Sequence, residues 1–214
     1  MKHIIKQAEP ADFSNWKSTY PDAEYEDLGN NDAFPGASNA KRALRSALLA
    51  EQHGLCCYCE TRIDNGDFHV EHFRPKDRHR VPSFRPLQLE YSNLHACCRR
   101  IPAGISDEYC GHKKENEFDD RLVSPLEPDC EIHFAYDING HIAGTDERGT
   151  ETVRILNLDS VLLSTSRKRL IEEFEGFDDE EYIAEIHRHL DAGAAVYGEF
   201  YTTIRFLHEA GKLH

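Results

Sequence analysis

No stretch of this sequence is apolar for the roughly 20 residues that a helix needs to cross a bilayer, which excludes a helical membrane protein. The opening residues, MKHIIKQAEPADF, meet acids early and lack the apolar centre of an export signal, so a cytoplasmic protein is expected. No phosphate-binding loop of the G-x-x-x-x-G-K-S/T kind occurs, so any ATP chemistry would belong to another chain. Positive charge is also scarce: 25 Lys and Arg stand against 39 Asp and Glu, a formal net charge of −14. That excludes a uniformly basic surface, the usual mark of a stand-alone nucleic-acid binder.

The remainder describes a folded chain. With 39% hydrophobic and 30% charged residues over 214 positions, it can bury a core as one domain or as a small domain with an appendage. The scarce bases are not spread evenly. Arg74, Lys76, Arg78, Arg80 and Arg85 cluster with only Asp77 among them, and Arg99, Arg100, Lys113 and Lys114 fall in the same central region. The acids gather later, from Glu172 to Glu185. A basic site on an acidic body suits local contact with phosphates, with a partner subunit supplying any broader grip.

Six of the seven cysteines fall between Cys56 and Cys110. In a reducing compartment they are thiolate ligands rather than disulfides. Cys56-x-x-Cys59 forms a knuckle that offers two sulfurs to one tetrahedral ion. Cys97 or Cys98, and then Cys110, complete a set; Cys56, Cys59, Cys98 and Cys110 form the favoured zinc tetrad. Asp64 to Asp67 read as a hairpin turn. Phe68 to His72 alternate as a short strand that carries Glu71 and His72. A carboxylate there can hold a divalent cation while a neutral imidazole takes a proton from water. Arg74 to Pro86 is a loop whose bases, Arg74, Lys76, Arg78 and Arg80, are candidates for backbone phosphates. Tyr91 to Arg100 reads as a helix capped by Ser92, with Asn93 placed to brace neighbouring backbone. A short helix opens at Cys110 and carries His112, a candidate metal ligand with Asp107 as its alternative.

Around this centre lie helical signals. A short helix carries Phe13 and Trp16. A helix over 38–53 is capped by Ser38, buries Ala40, Leu44, Ala47 and Leu48, and ends at Gly54. A hairpin turns at Asp137 to Gly140 and carries His133 and His141 as structural histidines. One helix is capped by Thr150, and a second by Asp159 or Ser160. Two more cover about 178–190 and 194–207.

Taken together, CCYCE, VEHFRPK, YSNL-x-x-CC and CGHKK resemble the HNH endonuclease family, the ββα-metal fold. More narrowly, their order resembles the HNH nuclease found beside an ATPase in Septu-type anti-phage and some retron operons. The resemblance implies an α+β fold: a small ββα-metal core with structural zinc at 38–125, a lead-in at 1–37, and a hairpin plus helical region at 126–214. It implies that His72 is the general base, Asn93 the central Asn, and Glu71 and His112 the ligands of a catalytic Mg²⁺ or Mn²⁺. Cys56, Cys59, Cys98 and Cys110 then hold structural zinc. The implied activity is phosphodiester hydrolysis, of DNA before RNA, beside an ATPase partner. The alternatives are an RNase directed at transfer RNA, or a zinc-stabilised binding module without chemistry. Two features depart from the family pattern: Gly111 separates the last cysteine from His112, and a long insertion separates Cys98 from Cys110.

Overall fold

A computed structural model describes residues 1–64, 66–76, 87–99 and 107–213. Asn65 of the expected turn and the bases Arg78, Arg80, Arg85 and Arg100 lie outside the described residues. The architecture is α+β. Among the described residues, seven α-helices surround two antiparallel two-stranded sheets.

The N-terminal segment is extended up to a helix, α1 (Ala11–Thr19), that buries Phe13 and Trp16. Helix α2 (Ala37–Glu51) buries Ala37, Ala40, Leu44 and Leu48 along one stripe. It starts one residue before Ser38, after Gly36 in the left-handed region, so Ser38 lies in the first turn rather than at the cap. Gly54 follows at φ +75° and donates its N–H to the Leu49 carbonyl, as a left-handed stop requires.

The first sheet holds the site. Strand β1 (Phe68–His72) pairs antiparallel with β2 (Leu94–Cys98), with His69 opposite Cys97, Glu71 opposite His95 and His72 opposite Leu94. The helix expected over Tyr91 to Arg100 is therefore corrected: one 3₁₀ turn, Tyr91–Asn93, leads into a strand. The reason is burial. All five residues of β2 are buried, and a strand covered on both faces has no polar alternation to separate it from a buried helix. The free edge of β2 is closed by the preceding knuckle. Gln52 Oε1 accepts the Ala96 N–H at 2.7 Å, while Gln52 Nε2 and the Cys57 N–H donate to the Ala96 carbonyl at 2.8 and 3.0 Å. Helix α3 (Cys110–Lys114) follows the hairpin and packs on β2.

The second sheet pairs β3 (Phe134–Tyr136) with β4 (Ile142–Gly144) around the expected turn. Its two histidines each pair with a carboxylate: His133 Nδ1 lies 2.6 Å from Asp146 and His141 Nδ1 3.1 Å from Asp159, while His133 Nε2 is buried without a partner. Helix α4 (Glu147–Leu156) is capped by Asp146, not Thr150, because the Asp146 carboxylate accepts the Gly149 N–H. Ser160 caps α5 (Val161–Glu175) and Asp178 caps α6 (Asp179–His189). The last helix, α7 (Tyr201–Glu209), starts later than its stripe predicts. Gly193 and Gly198 weaken the preceding stretch as a helix, and its Tyr197 and Phe200 N–H groups donate to the His53 and Glu60 carbonyls of the knuckle instead. Ile171, Phe174, Tyr182, Ile186, Ile204 and Leu207 make a separate apolar cluster between these last helices. No helix among the described residues is long and apolar enough to cross a membrane.

Gln52→Leu removes the clamp on β2 and leaves Ala96 with an unsatisfied N–H. Denaturant unfolding is expected to show a loss of about 1–3 kcal/mol. A change below about 0.5 kcal/mol would mean that the clamp does not secure the strand.

Candidate active site

The knuckle, β2 and α3 carry their cysteines to one place. The sulfurs of Cys56, Cys97, Cys98 and Cys110 all lie within 4.8 Å of one another. Cys56 Sγ is 3.9 Å from both Cys97 and Cys110, and Cys59 Sγ is 3.7 Å from Cys98. Four thiolates about 2.3 Å from one tetrahedral ion are about 3.8 Å apart, so this spacing fits zinc. Of the tetrad expected from sequence, Cys56, Cys98 and Cys110 fall in this group; Cys97 stands in it where Cys59 was expected, and Cys59 lies beside Cys98. All are free thiols. Burial opposes ionisation of Cys56, but hydrogen bonds led by Cys110 prevail and hold it well below the usual thiol range. Burial pushes Cys59, Cys97 and Cys110 up. Such a cluster binds a cation by releasing protons.

Strand alternation sends Glu71 and His72 to opposite faces of β1. On the α3 side, Glu71 is buried, and its Oε1 accepts from Lys114 Nζ at 2.9 Å and Tyr58 Oη at 3.2 Å. Its Oε2 lies 3.3 Å from His69 Nε2. Burial works against the charge of Glu71, but the Lys114 ammonium and the His69 hydrogen bond outweigh it and hold the carboxyl at about 2. The His69 and His112 rings lie 5.3 Å apart, and His69 Nδ1 and His112 Nε2 are buried without a hydrogen-bond partner. A Cβ on Gly111 would come within 2.6 Å of both Glu71 Oε2 and His69 Nε2, so only glycine leaves this cradle open. Two imidazoles and a carboxylate thus gather around one cradle, whereas the described groups whose ligand atoms all lie within 4.8 Å of one another are the cysteine cluster and Glu127, Asp129 and His133. Lys114 already pairs with Oε1 of the Glu71 carboxylate. Asp107 is elsewhere, accepting from Asn157 Nδ2 and the Leu162 N–H beside the start of α5.

On the other face, His72 is buried against Tyr25, edge to ring at 4.6 Å. Its Nε2 is 3.0 Å from the Gln88 carbonyl. A carbonyl accepts only, so Nε2 carries the proton and Nδ1 is left as the base. Burial lowers His72 to about 4, with Lys76 adding to the effect, so the ring is neutral at neutral pH. Asn93 ties the chain that follows: Oδ1 accepts the Arg74 N–H at 2.8 Å, and Nδ2 donates to the Arg74 and Leu87 carbonyls at 3.0 and 3.1 Å. Arg74 reaches over Phe118, and Lys76 lies over Tyr25 while pairing with Glu26.

Sequence reading missed His69, His95, Lys114 and Tyr25. His69 lies two residues before Glu71, so strand alternation alone places both on one face. His95 lies opposite Glu71, fully buried with neither ring nitrogen paired. Tyr25 gives no signal, because its 3₁₀ turn is brought to His72 from far along the chain.

No protein-family model matches the sequence. The chain is similar to HNH endonucleases. In particular, it is 26% identical over 225 residues to the candidate HNH endonuclease of retron Ec83 from Escherichia coli, covering 87% of this chain and 85% of the relative. It is 31% identical over 140 residues to the candidate HNH endonuclease of retron Vc95 from Vibrio cholerae, covering 62% and 65%. It is 28% identical over 125 residues to the Septu protein PtuB from Bacillus thuringiensis, covering 56% and 43%. The last two matches span less than two thirds of those relatives.

The geometry sets two expectations. Purified wild type should carry about one zinc per chain by elemental analysis, lost in Cys56→Ser with Cys110→Ser; equal zinc in that variant would remove the cluster as its site. The unfolded chain should take up a proton at His72 between pH 6.5 and 4 that the native ring refuses. Stability therefore falls as pH drops through that window, and His95 and His189, also lowered by burial, act with the same sign. NMR should show no titration of the His72 ring from pH 8 to about 5.5; a midpoint near 6.5 would contradict its burial.

Proposed function

We propose that the chain is a metal-dependent HNH endonuclease in which β1, β2 and α3 form a ββα-metal core. The observation that carries this reading is His72. It is neutral, with Nε2 committed to the Gln88 carbonyl, at the end of a strand whose following backbone is clamped by Asn93. Each of these is a requirement for a general base aimed by its surroundings.

In this reading His72 Nδ1 takes a proton from the water that attacks the phosphodiester. Asn93 fixes the chain from Arg74 onward and so holds the strand end that presents His72. Glu71 and His112, joined by His69, would hold Mg²⁺ or Mn²⁺, which supplies charge stabilisation at the scissile phosphate when bound. Cys56, Cys59, Cys98 and Cys110, with Cys97 beside them, would hold zinc that locks the knuckle to α3 and does no chemistry. Arg74 and Lys76, with Arg78 and Arg80 of the same loop, would contact backbone phosphates. The resemblance to retron and Septu proteins supports a cytoplasmic role in phage defence beside an ATPase, with DNA as the first substrate class and transfer RNA as the second. One observation favours a second reading: Lys114 already neutralises Glu71, as a zinc-stabilised binding module without catalysis would allow.

The two readings part in one assay. Plasmid DNA and bulk transfer RNA are incubated with the wild type and His72→Ala, each with and without Mn²⁺. The nuclease reading expects Mn²⁺-dependent cutting that falls at least about 100-fold in His72→Ala. Equal cutting by both proteins would remove His72 as the base.

A further inference from the structure

On the exposed side of α2, Lys41 and Arg42 bond to neutral acceptors. Elsewhere, Arg121, Arg148, Arg154, Arg188 and Arg205 pair with carboxylates, while Arg62 and Arg167 donate to backbone carbonyls. Lys41 donates to the Leu28 carbonyl and Arg42 to the Asn39 side chain. Neither they nor Arg99 pairs with a carboxylate among the described residues.

The same face is a groove. A hollow of about 450 Å³ is lined by Ser38, Lys41, Arg42, Arg45 and Ser46, every one a cation or a hydroxyl. These residues recur at i and i+4, so they line one side of α2 over about 12 Å, the axial length of three to four nucleotides. Arg45 is held in place, with Nη1 donating to the Phe68 carbonyl at 3.0 Å and the guanidinium 3.8 Å from the Phe68 ring. Arg99 lies at the same end of the sheet, next to Cys98, the residue opposite Phe68. Like charges held together at a surface favour an anion between them.

The groove also leads to the site. Arg45 bonds the Phe68 carbonyl at the start of β1, Arg99 follows Cys98, which lies opposite Phe68, and His72 ends the same strand. The order is therefore the α2 groove, Arg45 with Arg99 at the start of β1, then His72 at its end.

We propose that the α2 groove, with Arg99, binds the phosphodiester backbone of the polynucleotide substrate and guides it toward His72, a proposal that rests on the nuclease reading above. DNA and RNA share the phosphate chemistry, so the occupant is a polynucleotide backbone of either kind.

The test uses full-length His72→Ala, which binds without cutting. Labelled 30-nucleotide single-stranded DNA, the matching duplex and transfer RNA are titrated by fluorescence anisotropy across a salt series. Adding Lys41→Ser with Arg42→Ser should weaken binding at least 10-fold and lower the slope of log affinity against log salt by about 2 on duplex DNA. Adding Arg99→Ser alone should lower it by about 1. Lys168→Ser with Arg169→Ser on α5 should change neither. The substrate most weakened by the α2 changes identifies the source of the backbone. Unfolding midpoints within error of the parent protein verify that the α2 variants are folded. Parent-like affinity and slope in both α2 and Arg99 variants would overturn the groove and leave the nuclease reading intact, since that rests on His72-dependent cutting. Binding of none of the three polynucleotides by the parent would overturn both.

Discussion

Everything around the site depends on the burial of one short strand. β2 has no solvent-facing side, so each of its backbone groups needs a partner inside the protein. One edge is met by β1 and the other by Gln52 and the Cys57 N–H. That closure fixes the knuckle against the strand and sets Cys97 and Cys98 beside Cys56. It also holds Asn93, at the strand's start, level with the chain leaving β1. A zinc ion in the sulfur cluster would tie the same three pieces through metal bonds, so ladder and cluster reinforce one arrangement.

Alternation along β1 then divides the work. Odd positions turn His69 and Glu71 toward α3 and the Gly111 cradle, where charge is concentrated and buried. Even positions turn His72 toward Tyr25 and Gln88, where burial keeps the ring neutral. The Lys114 ammonium spans the division, bonding both Glu71 and the His72 carbonyl. A strand five residues long can thus keep a strongly ionised carboxylate next to a neutral base.

Much of this was legible in the sequence, because it rests on local patterns. The α2 stripe, the Gly54 stop, the turn at Asp137 to Gly140 and the start of α5 near Asp159 or Ser160 are set by residues within a few positions of one another. The cysteine groups were legible as one cluster, since spacing and redox context suffice. β2 was not, because two-sided burial erases the period that separates strand from helix. The choice between Cys97 and Cys98 was not, because both sulfurs enter the cluster. Tyr25 and Lys114 were out of reach for a different reason: each acts on β1 across more than 40 residues of chain. His69 was within reach and was passed over in favour of the Glu-His pair that follows it.

The central claim is that one small core holds two kinds of ion, zinc for structure and a second divalent cation for chemistry. The most direct measurement is anomalous X-ray diffraction from crystals of the zinc-loaded protein soaked in Mn²⁺, recorded at the zinc and manganese edges. The prediction is a zinc peak among Cys56, Cys98 and Cys110, and a separate manganese peak between Glu71, His69 and His112. A zinc peak alone, with Lys114 still on Glu71 at saturating Mn²⁺, would contradict it and leave the fold as a zinc-held binding module.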